Sequence, residues 1–312
     1  MPSDKRARQR AGKQAKMVEL RRAQQRRRRL RLGAVGAVLV VIAVVLAIVT
    51  SSGGGKKRTN LSTAKSSTTV TTTVSSTTVA VGANGLPAGL KARPAPALSK
   101  NCSNPQTSTA PTTTVPAKGE AVSIVPAPAN VGFPNLAGSS PRYTKFSAAP
   151  PFCIDVTKTY TATMVTDAGT MTIKLYPKVA PITVNNFVFL AGYHYFDGTV
   201  FHRVIPGFVD QGGDPVGSGS GGPGYQFPDE LPTAASAYVT GALAMANSGA
   251  NTNGSQFFIV VGSGGSQLQP LYTMFGQVTG GLDIASKINA DGTSAGTPKV
   301  VHKVLKVTVA AS

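Results

Sequence analysis

Two segments of this chain carry side chains able to hold a polypeptide. Phe201-His-Arg-Val-Ile-Pro-Gly-Phe-Val-Asp-Gln-Gly-Gly-Asp214 is answered further along by Met245-Ala-Asn-Ser-Gly-Ala-Asn-Thr-Asn-Gly-Ser-Gln-Phe-Phe-Ile259. Together they supply one guanidinium (Arg203), two amides (Gln211, Asn247) and apolar side chains (Phe208, Phe258) among strands and Gly-rich turns. Neither offers a nucleophile with a base, a metal cluster or a phosphate loop. Gly217-Ser-Gly-Ser-Gly-Gly-Pro-Gly224 lacks the Gly-Lys-Ser/Thr that a phosphate cradle needs and reads as a loop. Asp229-Glu230 reads as a turn rather than a catalytic pair. His202 has no evident carboxylate partner, and His194 and His302 stand isolated. Such a set suits gripping a peptide bond without breaking it.

Both blocks resemble the signature blocks of the cyclophilins, the peptidyl-prolyl cis–trans isomerases, within a similarity running from about Thr159 to Val309. The resemblance implies an eight-stranded antiparallel closed β-barrel capped by two α-helices, working without cofactor or metal on Pro-containing polypeptides. It implies that Arg203 is the catalytic arginine and that Phe208, Val209, Phe258 and Leu268 line a proline pocket. Gln211 and Asn247 would hold the substrate backbone, with Ala246 and Gln256 completing the groove. Tyr272 stands where many members carry a rim histidine, and Val209 where methionine is commoner. The chain has no Trp, so the rim tryptophan of many eukaryotic members is missing and Gln267 stands near its place. These departures are expected to weaken cyclosporin binding more than catalysis. Alignment there needs one inserted residue, which bears on Leu268.

The implied chemistry is tractable. Resonance stiffens the C–N bond before proline, so isomerisation faces a barrier of about 18–20 kcal/mol. A pocket accelerates it by favouring the twisted amide over both planar forms. In the twisted form the prolyl nitrogen gains a lone pair that an always-charged guanidinium can meet. One such bond contributes about 1.5–3 kcal/mol, whereas a 10⁴-fold acceleration needs about 5.4 kcal/mol. Clamping and exclusion of water must supply the rest. The alternative readings are a surface salt-bridge arginine, phenylalanines that are ordinary core, and a Gln211 that satisfies the adjacent turn.

The elements that must position these groups are short. Tyr160 to Val165 and Thr170 to Leu175 around Asp167-Ala-Gly169 predict a hairpin. Val184, Phe187, Val188 and Leu190 recur at helical spacing after Pro181, which suits a first turn. A second short helix is expected over Gly281 to Ile288. In Ser255 to Val261 alternation puts Gln256 and Phe258 on one face and Phe257 and Ile259 on the other. An amide beside a ring makes a groove, and the apolar pair opposite makes core. For Phe201 to Ile205 alternation does not say which face is buried.

The remainder of the chain is of another kind. Residues 1–31 hold 13 basic against two acidic side chains, residues 32–151 ten against one, and residues 152–312 eight against nine. The excess charge of +19 therefore lies outside the expected globular part, and no nucleic-acid partner is implied for it. Leu32 to Val49 is an unbroken apolar run of 18 residues, about the length that crosses a hydrocarbon core. Thirteen cations precede it, so residues 32–50 are expected to span the membrane with the amino terminus cytoplasmic. A cleaved signal peptide is the rival, with an h-region shorter than this run. A third reading gives the basic head to nucleic acid or anionic lipid. Residues 51–151, rich in Ser, Thr and Pro, are expected to be a disordered linker. Residues 152–312 would form one isomerase domain, monomeric and extracytoplasmic. Cys102 and Cys153, an even pair outside the membrane, suggest a disulfide, with two free thiols as the alternative. The composition and stalk suggest a bacterial, membrane-anchored isomerase assisting secreted or envelope proteins. The rival function is a Pro-segment binding or chaperone module in which catalysis is incidental.

Overall fold

The computed structural model describes residues 86–102 and 124–312. The expected transmembrane segment 32–50 and the basic head 1–31 lie outside the described residues. Among the described residues no helix is long and apolar enough to cross a membrane.

Eight strands form one antiparallel sheet in the order β3-β4-β6-β5-β7-β2-β1-β8. They are β1 Tyr160–Thr166, β2 Gly169–Leu175, β3 Arg203–Ile205, β4 Val209–Gly212, β5 Ala242–Met245, β6 Phe257–Val260, β7 Met274–Gly280 and β8 Val304–Ala311. Helices α1 (Pro181–Gly192) and α2 (Leu282–Ala290) accompany them. The first hairpin pairs Thr166 with Gly169 and Tyr160 with Leu175. Alternation decides its faces: Ala162, Met164, Met171 and Ile173 are fully buried, while Thr170 and Lys174 are exposed.

The expected closed barrel is corrected to an open, curled sheet. β3 and β8 are its two ends and share no ladder among the described residues; the segment before β3 meets the start of β8 through Gly198 N–H to Val304 O at 2.7 Å, Val304 N–H to Thr199 O at 2.8 Å and the isolated Val200–Lys303 bridge. The reason is local. Val204 in β3 donates to Gly296 O at 2.8 Å and accepts from Thr293 N–H at 3.2 Å. The loop after α2 thus occupies the edge that β8 would need to close the ladder.

The disordered linker expected over residues 51–151 is also corrected where it is described. Leu90, Phe133 and Phe146 are buried in the same core as the sheet. Phe146 lies within ring contact of Tyr143, Phe189, Tyr193, Tyr195 and Tyr225. Composition undercounts such a segment because a few aromatic side chains, not the average, bury the area. Helix α1 shows the consequence: ten of its twelve residues are buried, as for a helix packed on both sides. Phe187 meets Phe196, Phe257 and Phe275, whereas Phe189 meets Phe133 and Phe146 from the extension.

The Cys102 and Cys153 sulfurs are bonded, with Cα atoms 5.3 Å apart. Asn185 of α1 secures the same place by accepting from Cys153 N–H at 2.8 Å and donating to Pro151 O at 3.0 Å.

Candidate active site

The site is built on the middle of the sheet. β3 and β4 pair so that Arg203 lies opposite Gln211, and β4 pairs with β6 so that Gln211 lies opposite Phe258. Register therefore places guanidinium, amide and ring in one row across three strands. Alternation then separates groove from core: Phe257 and Ile259 are fully buried, whereas Gln256 is half-buried. Within β3 only Val204 is buried, which leaves Arg203 and Ile205, both half-buried, on the opposite face.

One cavity of about 230 Å³ is lined by Arg203, Phe208, Val209, Gln211, Ala246, Asn247, Phe258, Leu268 and Tyr272. The structure thus brings together nine of the ten residues singled out from the sequence. The tenth, Gln256, lines an adjoining cavity of about 220 Å³ shared with Gln211, Ala246, Asn247 and the loop 219–226. The floor of the first is apolar: Val209 and Phe258 are buried, and the Phe258 and Tyr272 rings meet edge-on at 5.4 Å. Its rim is polar. Arg203 Nη1 donates to Gln211 Oε1 at 3.3 Å, and Asn247 Nδ2 donates to Leu271 O at 2.9 Å. The Arg203 stem lies against Gly296, where a built Cβ would come within 3.2 Å of its Cγ.

Gly213 shows why a glycine is needed beside this row. Its φ is +80°, and a Cβ there would overlap Ser255 O and crowd the Phe257 ring. The position lets the chain leave the sheet directly after Gly212, the last residue of β4.

Several polar groups that sequence reasoning passed over shape the surroundings. Glu230, read as a turn residue, is buried and accepts N–H bonds from Ile182 at 3.1 Å and Thr183 at 2.8 Å at the start of α1. Burial pushes its carboxyl above the ordinary value despite those bonds. Its signal was the Pro181 start of α1, which offers no side-chain cap of its own. His302 is not isolated as expected: its nitrogens lie 2.9 Å from Asp167 and 2.9 Å from Asp291. His194 likewise lies 3.1 Å from Asp197. His202 is half-buried, burial lowers its pKa, and among the described residues it makes no hydrogen bond to a carboxylate. Among the described residues no group of three His, Cys, Asp or Glu side chains could hold a metal ion.

A curled antiparallel sheet bears an apolar notch ringed by one guanidinium and several amides, groups able to hold a peptide backbone beside an apolar side chain. The chain belongs to the cyclophilin-type peptidyl-prolyl cis–trans isomerases and is an enzyme of that class. Residues 161–309 match the family described as cyclophilin type peptidyl-prolyl cis-trans isomerase/CLD. Peptidyl-prolyl cis-trans isomerase B of Bacillus subtilis is 46% identical over 126 residues, which cover 40% of this chain and 87% of that protein. Peptidyl-prolyl cis-trans isomerase B of Streptomyces anulatus is 43% identical over 161 residues, or 46% of this chain and 91% of that protein. Among solved structures, a cyclophilin type isomerase of Cryptosporidium parvum is similar with a TM-score of 0.46 and 30% identity, covering 49% of this chain and 99% of that one.

Proposed function

We propose that this isomerase turns prolyl bonds by seating the proline ring on Phe258 and Val209 while Arg203 meets the nitrogen of the twisted amide. The observation that carries this reading is the single cavity that joins Arg203 to the buried apolar floor. A planar amide nitrogen shares its lone pair with the carbonyl and accepts poorly. A twisted one accepts well, so Arg203 binds the transition state more strongly than either ground state. Gln211 and Asn247 stand beside it to hold the backbone of a Pro-containing polypeptide, with Ala246, Leu268 and Tyr272 confining the ring. The seat of Gln256 in the adjoining cavity suits the residues that precede proline.

Isomerisation of an Ala-Pro tetrapeptide by the full chain and by Arg203→Ala tests this. We expect a loss of about 10–100-fold in kcat/KM, the equivalent of one charge-assisted hydrogen bond, with peptide affinity kept within a few-fold. Unchanged turnover in the variant would show that Arg203 does not carry the reaction.

We further propose that the domain is monomeric and works outside a bacterial cell membrane on secreted or envelope proteins. The apolar run 32–49 behind a basic head supports an anchor, and the paired cysteines suit an oxidising compartment. Protease added to intact cells should degrade the domain while residues 1–31 stay protected. Recovery of the whole protein in the soluble cytosolic fraction would rule the location out.

A further inference from the structure

A continuous hydrogen-bonded chain runs from the buried carboxylate of Asp214 to Arg203, through the glycine-rich loop and two glutamines. Asp214 is fully buried. Its Oδ2 accepts from Ser218 N–H at 3.0 Å, Gly219 N–H at 2.6 Å and Gly221 N–H at 3.1 Å, with a longer Ser218 hydroxyl contact at 3.5 Å. Its Oδ1 accepts from Val216 N–H at 2.8 Å. Burial alone would raise this carboxyl, but the backbone donors outweigh it and hold its pKa below the ordinary value. The loop wrapped on this anion turns two carbonyls back toward the groove. Gln256 Nε2 donates to Gly219 O at 3.0 Å and to Gly221 O at 2.9 Å. Gln256 Oε1 then accepts from Gln211 Nε2 at 3.0 Å, and Gln211 Oε1 accepts from Arg203 Nη1 at 3.3 Å.

The polarity of this chain is fixed from both ends. Backbone carbonyls only accept, so they can be met only by the nitrogen of Gln256. A guanidinium only donates, so it can be met only by the oxygen of Gln211. Turning either amide over sets donor against donor or acceptor against acceptor, at the cost of the hydrogen bonds it replaces. Resting on the reading that Arg203 is catalytic, we infer that Asp214 and Gln256 are positioning residues for the reaction. Neither need touch the reacting bond: the loop built on Asp214 orients Gln256, Gln256 orients Gln211, and Gln211 holds the guanidinium toward the proline seat. A long, freely rotating arginine is thereby delivered in one orientation, so the ordering does not fall on each catalytic event.

The test uses the full chain, an Ala-Pro tetrapeptide and the ¹⁵N–¹H signals of the Arg203 Nε–H and the Gln211 side-chain amide. Asp214→Asn sets an amide nitrogen among N–H donors, and Gln256→Leu removes the central amide while keeping much of its volume. Each should lower kcat about 10-fold, Asp214→Asn with KM changed less than about 2-fold because it lies outside the groove, and each should shift or broaden both signals. The double variant should be no worse than the more impaired single one, because both cut one chain; independent structural damage would multiply. Folded single variants with wild-type kcat and unmoved Arg203 signals, or losses that multiply, overturn the inference. If Asp214→Asn does not fold, Gln256→Leu decides by the same two readouts. Arg203→Ala run in parallel separates the cases: unchanged turnover there defeats the reading of Arg203, whereas a loss there without one in Gln256→Leu defeats the relay alone.

Discussion

Asp210 gives the most demanding test of the physical reading. It lies in β4 between Val209 and Gln211, is fully buried, and faces away from the groove toward α2. Its Oδ1 accepts from Asn289 Nδ2 at 2.7 Å, while its Oδ2 has no hydrogen-bond partner among the described residues. Burial pushes the carboxyl from 3.8 up to about 7, only partly offset by Asn289 and the nearby His302. A carboxyl with a raised folded-state pKa is protonated in the folded chain while already ionised in the unfolded one. Its contribution to stability is therefore lost as pH rises from the unfolded to the folded pKa, and it stays lost above about 7. Three units correspond to about 4 kcal/mol in full, of which about 2–3 kcal/mol falls between pH 5 and pH 8. Asp210→Asn removes the titration. It also leaves an unpartnered amide nitrogen that costs about 1–3 kcal/mol at every pH, so the difference between the two proteins tells more than either value. His302 keeps Asp167 and Asp291 as partners in both proteins. In urea unfolding at pH 5, 6.5 and 8, wild type should lose about 2–3 kcal/mol relative to the variant as pH rises. A difference that stays constant across that range would refute the reasoning.

Two further outcomes follow from the extension. Replacing both Cys102 and Cys153 by Ser releases a cross-link spanning 51 residues and should cost about 2–4 kcal/mol in denaturant unfolding; wild-type stability would mean that the packing of residues 86–102 holds without it. Phe146→Ala should cost about 3–5 kcal/mol by emptying the centre of the aromatic cluster, and a loss below about 1 kcal/mol in thermal unfolding would deny that the extension is part of the core.

The parts of the fold legible in the sequence are those set by local pattern. The hairpin of β1 and β2 follows from alternation around a turn, and α1 from apolar spacing behind Pro181. The row of Arg203, Gln211 and Phe258 was legible only through the resemblance, because it depends on register between strands far apart in the chain. What stayed hidden was long-range. Glu230 looks like any acidic turn residue until the start of α1 is brought to it from 48 positions away. Asp210 could have been flagged by alternation, since a residue between Val209 and Gln211 must face inward, but its partner Asn289 lies 79 positions on. The open edge of the sheet depends on how the loop after α2 folds back onto Val204, which no periodicity encodes.

The extension illustrates why average composition fails as a guide to what a segment does. Residues 124–151 look like a tether because Pro, Ser and Ala dominate them, yet Phe133, Tyr143 and Phe146 suffice to dock them. The complementary signal sat in α1 itself. A helix covering one side of a sheet needs a single apolar stripe, and Phe189 breaks that economy by adding a ring that the sheet does not use. The surplus ring implies a second layer. That layer reaches the groove, for Phe146 N–H donates to Pro223 O at 2.7 Å, and Pro223 lines the cavity that holds Gln256. The wall of the candidate groove is thus braced from behind by residues that precede the family's matched region, and a truncation at residue 152 would remove that brace along with Cys102.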